Sequence, residues 1–276
     1  MKNILYISFI LLLAASLSSC ERVIDIDLHN AQAKFVIEGI VSNRPDTPAR
    51  VLITTTKPFT EDNNFPGVSG ATVTISDNGG APVPLIEKTT GVYEAPLFGA
   101  IGHTYDLKVT INGTLYTATS TMPQQIKMDS LYVTNESLFG DERKIANVDF
   151  KDPLGKGNAY RWIQYINERK EKTIFVRDDD LSDGRNVNRK LFYFNDSDDD
   201  DPDKDARDIK TGDKLRIEML CIDIYVYKYW YSLDASATGE NQQATPANPV
   251  NNIKGGNGVL GYFSAQTYES KEIIVP

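Results

Sequence analysis

The densest group of side chains that could do chemistry is an acidic run at residues 196–208, which reads Asp196-Ser197-Asp198-Asp199-Asp200-Asp201-Pro202-Asp203-Lys204-Asp205 and is followed by Asp208. Hard cations such as Ca²⁺ bind clustered carboxylate oxygens, so this run is the candidate metal site of the sequence. Its spacing departs from an EF-hand loop, because a loop that starts at Asp196 has Asp201 where glycine is required and Arg207 where glutamate is required. A solvated acidic loop that holds no metal is the competing interpretation, and we assign no metal ligand.

The remaining patterns assemble no known catalytic set. The chain has two histidines, His29 and His103, and no His-Glu-x-x-His pattern, which excludes zinc hydrolases of that class. Gly256-x-Gly258-x-x-Gly261 has the spelling of a dinucleotide-binding motif, but it precedes the last predicted strand instead of opening a helix and therefore predicts a glycine-rich turn. Paired carboxylates are defined by distance, so the 38 acidic residues leave a hydrolase open. We assign no catalytic residue and no cofactor.

Two turns and one thiol complete the set of candidates. Asp178-Asp179-Asp180 and Asp183-Gly184 are interpreted as a turn that ends a strand. Cys221 lies in the apolar string Met219-Leu220-Cys221-Ile222, which favours a buried core thiol over a reactive nucleophile.

Cys20 is the residue whose chemistry the sequence specifies best. It follows Leu17-Ser18-Ser19 and an apolar run from Ile4 to Ala15, and Lys2 precedes that run. This layout is typical of a secretory signal over residues 1–19, and the run is shorter than the roughly 20 residues of a membrane span. Leu17 to Cys20 resemble the lipobox of bacterial lipoproteins, which implies that the Cys20 thiol carries diacylglycerol and that cleavage leaves Cys20 first. Two or three acyl chains, such as palmitate, would make the attachment to the bilayer effectively permanent.

Composition narrows the partners of the mature chain. The formal net charge is −9 for the full chain and −10 once Lys2 is removed with the leader, and an acidic chain is a poor ligand for nucleic acid, whose binding energy comes from neutralised phosphates. Once Cys20 is lipidated, Cys221 is the only thiol left and cannot form an internal disulfide. Stability must therefore come from packing.

After a tether over residues 20–33, the chain shows short β-branched runs separated by turns, the pattern of a β-sandwich. Val73 and Ile75 alternate with threonines, so one face of that strand should be buried. Asn112-Gly113 favours a type I′ turn and predicts a β-hairpin between Tyr105–Ile111 and Thr114–Ala118.

Residues 34–122 resemble the immunoglobulin-like, transthyretin-like modules of which the carboxypeptidase regulatory domain is an example. The residues that carry the resemblance are Val68, Gly70, Ala71, Val73, Ile75, Gly91, Val92, Tyr93, Gly102, Tyr105, Leu107, Val109, Gly113 and Tyr116. It implies a module that binds or spaces.

Residues 123–276 are predicted to form a larger β-rich domain, sandwich or barrel-like, with one short amphipathic helix. Strands are expected at 161–166, 172–176, 190–194, 214–221 and 259–275. The helix is predicted from apolar residues that share one face, with Asp223 as its N-cap: Ile222, Val226, Tyr229, Trp230 and Leu233. Five aromatic residues of this segment, Tyr225, Tyr227, Tyr229, Trp230 and Tyr231, could line a ligand box, but such stripes are more often core.

Short segments from the tether to the last strand share one family pattern: Cys20-Glu21, Ile24-Asp25, Val36-Ile37-Glu38-Gly39, Gly70-Ala71, Met128-Asp129-Ser130-Leu131, Lys228-Tyr229, Asn248-Pro249-Val250-Asn251-Asn252-Ile253-Lys254-Gly255-Gly256 and Leu260-Gly261-Tyr262-Phe263. Through these segments the whole chain is similar to Bacteroidetes lipoproteins of the domain of unknown function family 4249 (DUF4249). The resemblance implies an outer-membrane lipoprotein that associates with a TonB-dependent receptor, and it carries no assigned catalytic residue.

We therefore expect a non-catalytic accessory or binding component that is held through Cys20 in the outer membrane, on its periplasmic or cell-surface face. The expected partners are the lipid bilayer and a TonB-dependent receptor. A surface hydrolase acting on glycans or peptides is the alternative from another class, and a structural or adhesive lipoprotein is the third.

Overall fold

The computed structural model describes residues 32–58, 64–138, 141–193, 207–237, 248–256 and 258–276 of the chain. Residues 33–276 form one compact unit, which is mainly β and confirms the predicted fold class. Among the described residues, no helix has the length and apolar character needed to cross a membrane. The elements in that part of the chain are β1 (Phe35–Ser42), β2 (Ala49–Thr55), β3 (Thr72–Asp77), β4 (Val83–Thr89), β5 (Val92–Ala95), β6 (Thr104–Ile111), β7 (Thr114–Thr121), β8 (Met128–Leu138), β9 (Asp141–Lys151), β10 (Ala159–Ile166), β11 (Arg169–Lys170), β12 (Phe175–Asp178), β13 (Asn186–Leu191), β14 (Lys214–Ile222), α1 (Ile224–Ala237) and β15 (Leu260–Ile274).

Twelve of these strands form one sheet and three form another. The large sheet has the order β11-β10-β14-β15-β1-β2-β5-β4-β3-β6-β7, and β12 pairs with β10 beside that path. The small sheet has the order β13-β9-β8. Neighbours are antiparallel except β1 and β15, which run parallel and come from opposite ends of the described chain.

Alternating side chains explain why the first strands form and which face they bury. Val51 and Ile53 of β2 are fully buried, whereas Leu52 between them is only partly buried. Val73 and Ile75 of β3 are buried, as their alternation with threonines predicted. This period of two places one face of each strand in the core.

The predicted hairpin is confirmed. Strands β6 and β7 pair in register from Thr104↔Thr121 to Ile111↔Thr114, which leaves Asn112 and Gly113 as the two-residue turn. Both turn residues have positive φ, 50° and 79°, as a type I′ turn requires.

The first part of the large sheet folds back on itself. Strand β4 pairs with β3 on one side and β5 on the other. Ile37 and Ile53 from β1 and β2 share one hydrophobic cluster with Ile75 and Leu107 from β3 and β6. Side chains from the two halves therefore meet in one layer, which is the sandwich-like arrangement that the sequence predicted.

Strand β15 links the regions. It pairs with β1 along Val36–Ser42 and continues along β14, whose other neighbour is β10. Gly261 makes the first contact possible, because a Cβ there would lie 2.0 Å from the carbonyl oxygen of Ile37, and its φ is +107°.

A second hydrophobic cluster packs the small sheet against β10 and β14. Phe150, Tyr160 and Trp162 pack against one another within it, with ring centroids 4.9 to 5.9 Å apart. The predicted boundary at residues 122–123 lies between Met122, which belongs to the first cluster, and Met128, which belongs to the second. The two-domain division itself stays a prediction.

Two strands of this region begin or end away from the predicted positions. Strand β12 starts at Phe175 and not at residue 172, because the Glu171 carboxylate accepts hydrogen bonds from the backbone N–H and hydroxyl of Thr173 and from Arg207, so this stretch turns around an ion pair. Strand β13 covers 186–191 and not 190–194, since its pairing partner is residues 146–151 of β9. The predicted strands at 161–166, 214–221 and 259–275 match β10, β14 and β15 within one or two residues.

Candidate functional site

The two segments with the strongest predicted chemistry lie outside the described residues. These are Cys20 with its leader and residues 21–31 of the tether, and residues 196–205 of the acidic run. Their lipid and metal chemistry stays a prediction. Asp208, at the end of the acidic run, is described, and its Oδ1 lies 3.5 Å from the hydroxyl of Tyr193.

The glycine motif is structural. Gly256 and Gly258 lie in the turn that leads into β15, which confirms the predicted glycine-rich turn for these two. Gly261 lies within β15 and not in the turn, because it pairs with Ile37 of β1. A Cβ on Gly256 would be 2.6 Å from the Tyr116 ring. The absence of side chains therefore lets this turn pack closely against Tyr116 of the first hydrophobic cluster.

Cys221 is a core residue, as predicted. It is 3% exposed, and its Sγ accepts a hydrogen bond from the backbone N–H of Ile126 at 3.4 Å. Burial raises the pKa of the Cys221 thiol, which keeps it protonated near neutral pH. His103 is paired through Nδ1 with Asp77 Oδ1 at 2.7 Å and stacks on Tyr105.

The aromatic stripe of α1 divides between core and surface. Tyr229 and Trp230 pack on Tyr262 of β15, with ring centroids 4.9 and 5.1 Å away, so the core interpretation holds for both. Tyr225 and Tyr231 are 60% and 58% exposed. The same helix thus anchors itself with one set of aromatic rings and presents another set outward.

Arg161 of β10 fixes the buried side of α1. Its guanidinium carbon lies 3.4 Å from the centroid of the Trp230 ring, which places a cation on the face of the indole. Burial lowers the pKa of Arg161, and the charge of Glu38 opposes that shift. Burial likewise raises the pKa of Glu38, which Arg161 counteracts. These contacts hold the helix on the large sheet.

The N-terminus of α1 is capped as predicted. Asp223 Oδ1 accepts hydrogen bonds from the backbone N–H groups of Tyr225 and Val226, at 2.9 and 3.0 Å. Asp223 Oδ2 accepts the hydroxyl proton of Ser120 in β7, and the Ser120 oxygen in turn accepts the N–H of Ala265 in β15 at 2.9 Å. Burial raises the pKa of Asp223, and its hydrogen bonds from Ser120 and the helix counteract this. One carboxylate therefore ties α1 to two strands.

The loop before β15 is fastened to the same two strands. Asn252 bridges the backbone of Phe263, donating Nδ2–H to its carbonyl at 2.7 Å and accepting its N–H at 2.9 Å. Asn251 donates to the carbonyl of Val259 at 2.7 Å. Lys254 and Thr117 of β7 exchange two backbone hydrogen bonds of 2.7 and 2.8 Å. This loop belongs to the segment on which the family resemblance depends most, and its asparagines are scaffold residues.

The first turn of α1, the loop before β15 and strand β7 enclose a cleft of about 460 Å³, which we call the α1 cleft. That volume falls in the range of about 300–1,000 Å³ typical of ligand sites. Its lining residues are Thr117, Ala118, Thr119, Tyr225, Asn251, Asn252, Ile253 and Lys254. An exposed tyrosine ring, threonine hydroxyls and an exposed lysine can bind a ligand by stacking, hydrogen bonds and charge.

A second cleft, of about 610 Å³, lies beside strands β8 and β9 of the small sheet. Two carboxylates, Glu142 and Asp208, line it beside Arg143, Lys144 and Lys210. These two carboxylates offer one place where the hydrolase alternative can be tested.

One group of polar residues was not expected from the sequence. Asp179 and Asp183 lie in the predicted turn, which is confirmed, but they converge there with Asp152 from a separate loop. A pattern of local spacing cannot find such a group, because residues 152 and 179 are brought together only by the fold.

Comparisons with known proteins place the chain in one family. The family model described as "Domain of unknown function (DUF4249)" matches residues 21–272. No curated protein matches the sequence. Among solved structures, the interferon gamma receptor alpha chain of chicken is similar over 89% of this chain and 98% of its own, at 9% identity and a TM-score of 0.24. A likeness that weak carries no argument about fold or function.

Proposed function

We propose, on the premise that the chain belongs to the DUF4249 family, that it is an outer-membrane lipoprotein that binds a partner and does not catalyse a reaction. Cys20 carries the lipid anchor. The expected partner is a TonB-dependent receptor, and the β body supplies the binding surface.

The anchor is supported by the position of the family match. The match starts at Glu21, one residue after Cys20, so the apolar run and Leu17 to Cys20 lie outside the matched domain. This is where a lipoprotein leader would be removed. The proposal adds that residues 34–122 are an immunoglobulin-like module, whose role is to space and dock.

The observation that carries the binding function is the composition of the α1 cleft. The family-resembling loop meets an exposed tyrosine, Tyr225, at a cleft whose walls are held by the hydrogen bonds of Asp223 and Asn252. Val250 in the same loop and Tyr231 farther along α1 are also exposed, at 55% and 58%. Tyrosine is enriched in protein interfaces because its ring buries a large area at a small entropic cost while its hydroxyl hydrogen-bonds at the rim. A cleft fastened by these hydrogen bonds and lined by an exposed tyrosine is suited to dock a protein partner.

Site-specific photo-crosslinking in cells tests this proposal. A photoreactive amino acid at Tyr225 should crosslink to a TonB-dependent receptor, identified by mass spectrometry after purification under denaturing conditions. Ile86 is the matched control, because it is 63% exposed but lies in β4 and does not line the cleft. A crosslink at 225 but not at 86 supports the proposal. Recovery of no envelope protein at 225, with the lipoprotein correctly localised, contradicts it.

The hydrolase alternative has one observation in its favour, the carboxylates Glu142 and Asp208 in the larger cleft. It predicts that the purified protein releases reducing ends or new amines from cell-surface glycans or peptides. It also predicts that Glu142→Gln and Asp208→Asn abolish that release. Activity that survives both substitutions would remove this cleft as an active site.

A further inference from the structure

Three carboxylates from two loops lie close together beside the second hydrophobic cluster. Asp152 begins the connection between β9 and β10, and Asp179 and Asp183 lie in the connection between β12 and β13. One oxygen of each carboxylate lies within 4.8 Å of an oxygen of both others. At such separations three negative charges repel one another strongly unless something neutralises them.

Two of the three side chains are buried. Asp152 is 0% exposed and Asp179 is 1% exposed. Asp152 Oδ1 accepts the hydroxyl proton of Tyr160, but its Oδ2 is buried and accepts no hydrogen bond. A buried carboxylate oxygen without a partner costs free energy, and this oxygen is therefore left to bind a ligand.

The hydrogen bonds at the other two carboxylates come from one loop. Asp179 accepts the backbone N–H groups of Gly157 and Asn158, both at 3.0 Å, and also the amide of Asn158 at 2.9 Å. Asp183 Oδ1 accepts the N–H of Gly155 at 2.6 Å. Within the described part of the chain, no lysine or arginine forms an ion pair with any of the three. These bonds orient the carboxylates but supply no full positive charge.

We propose that Asp152, Asp179 and Asp183 bind one Ca²⁺ ion, which joins the β9–β10 loop to the β12–β13 loop. All three donors are hard oxygen ligands, which Ca²⁺ prefers and which zinc sites seldom use alone. Ca²⁺–oxygen distances of about 2.3–2.6 Å place two ligands of one ion up to about 5 Å apart, so a spacing within 4.8 Å fits without rearrangement. None of the three belongs to the acidic run at 196–208 or lines the α1 cleft.

Binding of the ion would fix the two loops that carry Leu154 and Leu181. These side chains are 88% and 76% exposed, and a Cβ on Gly184 would lie 3.2 Å from Leu154 Cδ1. The ion would therefore stabilise both loops from their buried side, at Asp152 and Asp179.

Calorimetry and thermal unfolding test the site on the whole mature protein. After treatment with a chelator, titration with CaCl₂ should give saturable heat with one ion per chain. The melting temperature should rise by about 5–10 °C at 100 times the dissociation constant. Tb³⁺, which replaces Ca²⁺, should show emission sensitised by Tyr160, and Ca²⁺ should displace it.

Variants locate the ion. Asp183→Asn changes the most accessible of the three carboxylates and should abolish the heat, the melting shift and the Tb³⁺ emission. Asp180→Asn is the matched control, because Asp180 is an exposed neighbour outside the group, and it should leave all three unchanged. Asp198→Asn with Asp200→Asn removes charge from the acidic run and should also leave them unchanged. Asp152→Asn is the second test of the site if Asp183→Asn fails to fold.

Three outcomes would overturn the proposal. The first is no heat and no melting shift at 5 mM Ca²⁺. The second is a shift that survives Asp183→Asn and Asp152→Asn, which places the ion elsewhere. The third is an equal shift with Mg²⁺ at the same concentration, which removes the assignment to calcium.

Discussion

Asn252 fixes one wall of the α1 cleft, because the nitrogen and the oxygen of its side-chain amide both hydrogen-bond to the backbone of Phe263. Asn252→Ala should lower the free energy of unfolding by about 1–3 kcal/mol, since it leaves a buried N–H and a buried carbonyl without partners. Asn251→Ala removes one bond, to the carbonyl of Val259, and should cost less. Chemical denaturation of both variants measures the difference, and equal losses would show that the bridge to Phe263 does not hold the loop.

The ion pair of Arg207 with Glu171 is the residue-scale feature with the largest expected effect. The Arg207 and Glu171 side chains are 12% and 2% exposed, and two nitrogens of Arg207 contact the carboxylate at 2.6 and 3.2 Å. Arg207→Leu should lower the free energy of unfolding by about 3–5 kcal/mol, because it leaves a buried carboxylate unpaired. Arg50→Leu is the control, since its pair with Glu94 is exposed and spans 3.7 Å. It should cost less than about 1 kcal/mol.

The same ion pair predicts that the free energy of unfolding depends on pH. Burial alone would raise the pKa of Glu171, but the hydrogen bonds from Arg207 and Thr173 outweigh it and hold that pKa below its ordinary value of 4.5. The stabilisation is therefore fully present above pH 4.5 and is lost as pH falls through the lowered pKa. The stability gap between the natural chain and Arg207→Leu should narrow from pH 7 toward pH 3. A gap that is constant with pH would contradict the ion pair.

At the scale of elements, the cap of α1 decides where the helix begins. Asp223→Ala removes two backbone hydrogen bonds and the contact with Ser120, and should cost about 1–2 kcal/mol. Asp223→Asn retains a capping oxygen and should cost less. Circular dichroism and denaturation together check this, and an Asp223→Ala variant of unchanged stability would contradict the role of the cap.

Local signals explain which elements could be predicted from the sequence. The Asn112-Gly113 hairpin and the Asp223 cap depend on neighbours within a few residues, so residue type alone indicates them. The parallel pairing of β1 with β15 could not be predicted, because its partners are more than 200 residues apart and each strand reads only as a buried strand. The convergence of Asp152 with Asp179 was missed for the same reason.

The cleft was partly predictable. The family resemblance singled out the loop at 248–256, and the aromatic stripe singled out α1, but neither showed that the two meet at β7. Which tyrosines of α1 face outward depends on Arg161 and Tyr262, which come from other strands.

At the scale of the whole molecule, the contact of β15 with β1 joins the ends of the described chain. Gly261→Ala should lower the free energy of unfolding by about 2–5 kcal/mol, because the Cβ meets the Ile37 carbonyl at 2.0 Å and φ is +107°. Gly79→Ala is the matched control, with φ of +70° and nothing within 4 Å of its Cβ. Its cost should be that of the backbone strain alone, and an equal loss in both variants would show that the close contact with β1 does not limit stability.

The main functional proposal also concerns the whole molecule: a lipid on Cys20 anchors the β body to the outer membrane, where it binds its partner. The most direct test is the intact mass of the protein purified from outer membranes, with Cys20→Ser as the comparison. We predict that the mature chain begins at Cys20 and carries diacylglycerol and acyl chains, and that Cys20→Ser is absent from the lipid-bound fraction. An unmodified chain, or one that begins at another residue and remains in the soluble fraction, would contradict the account.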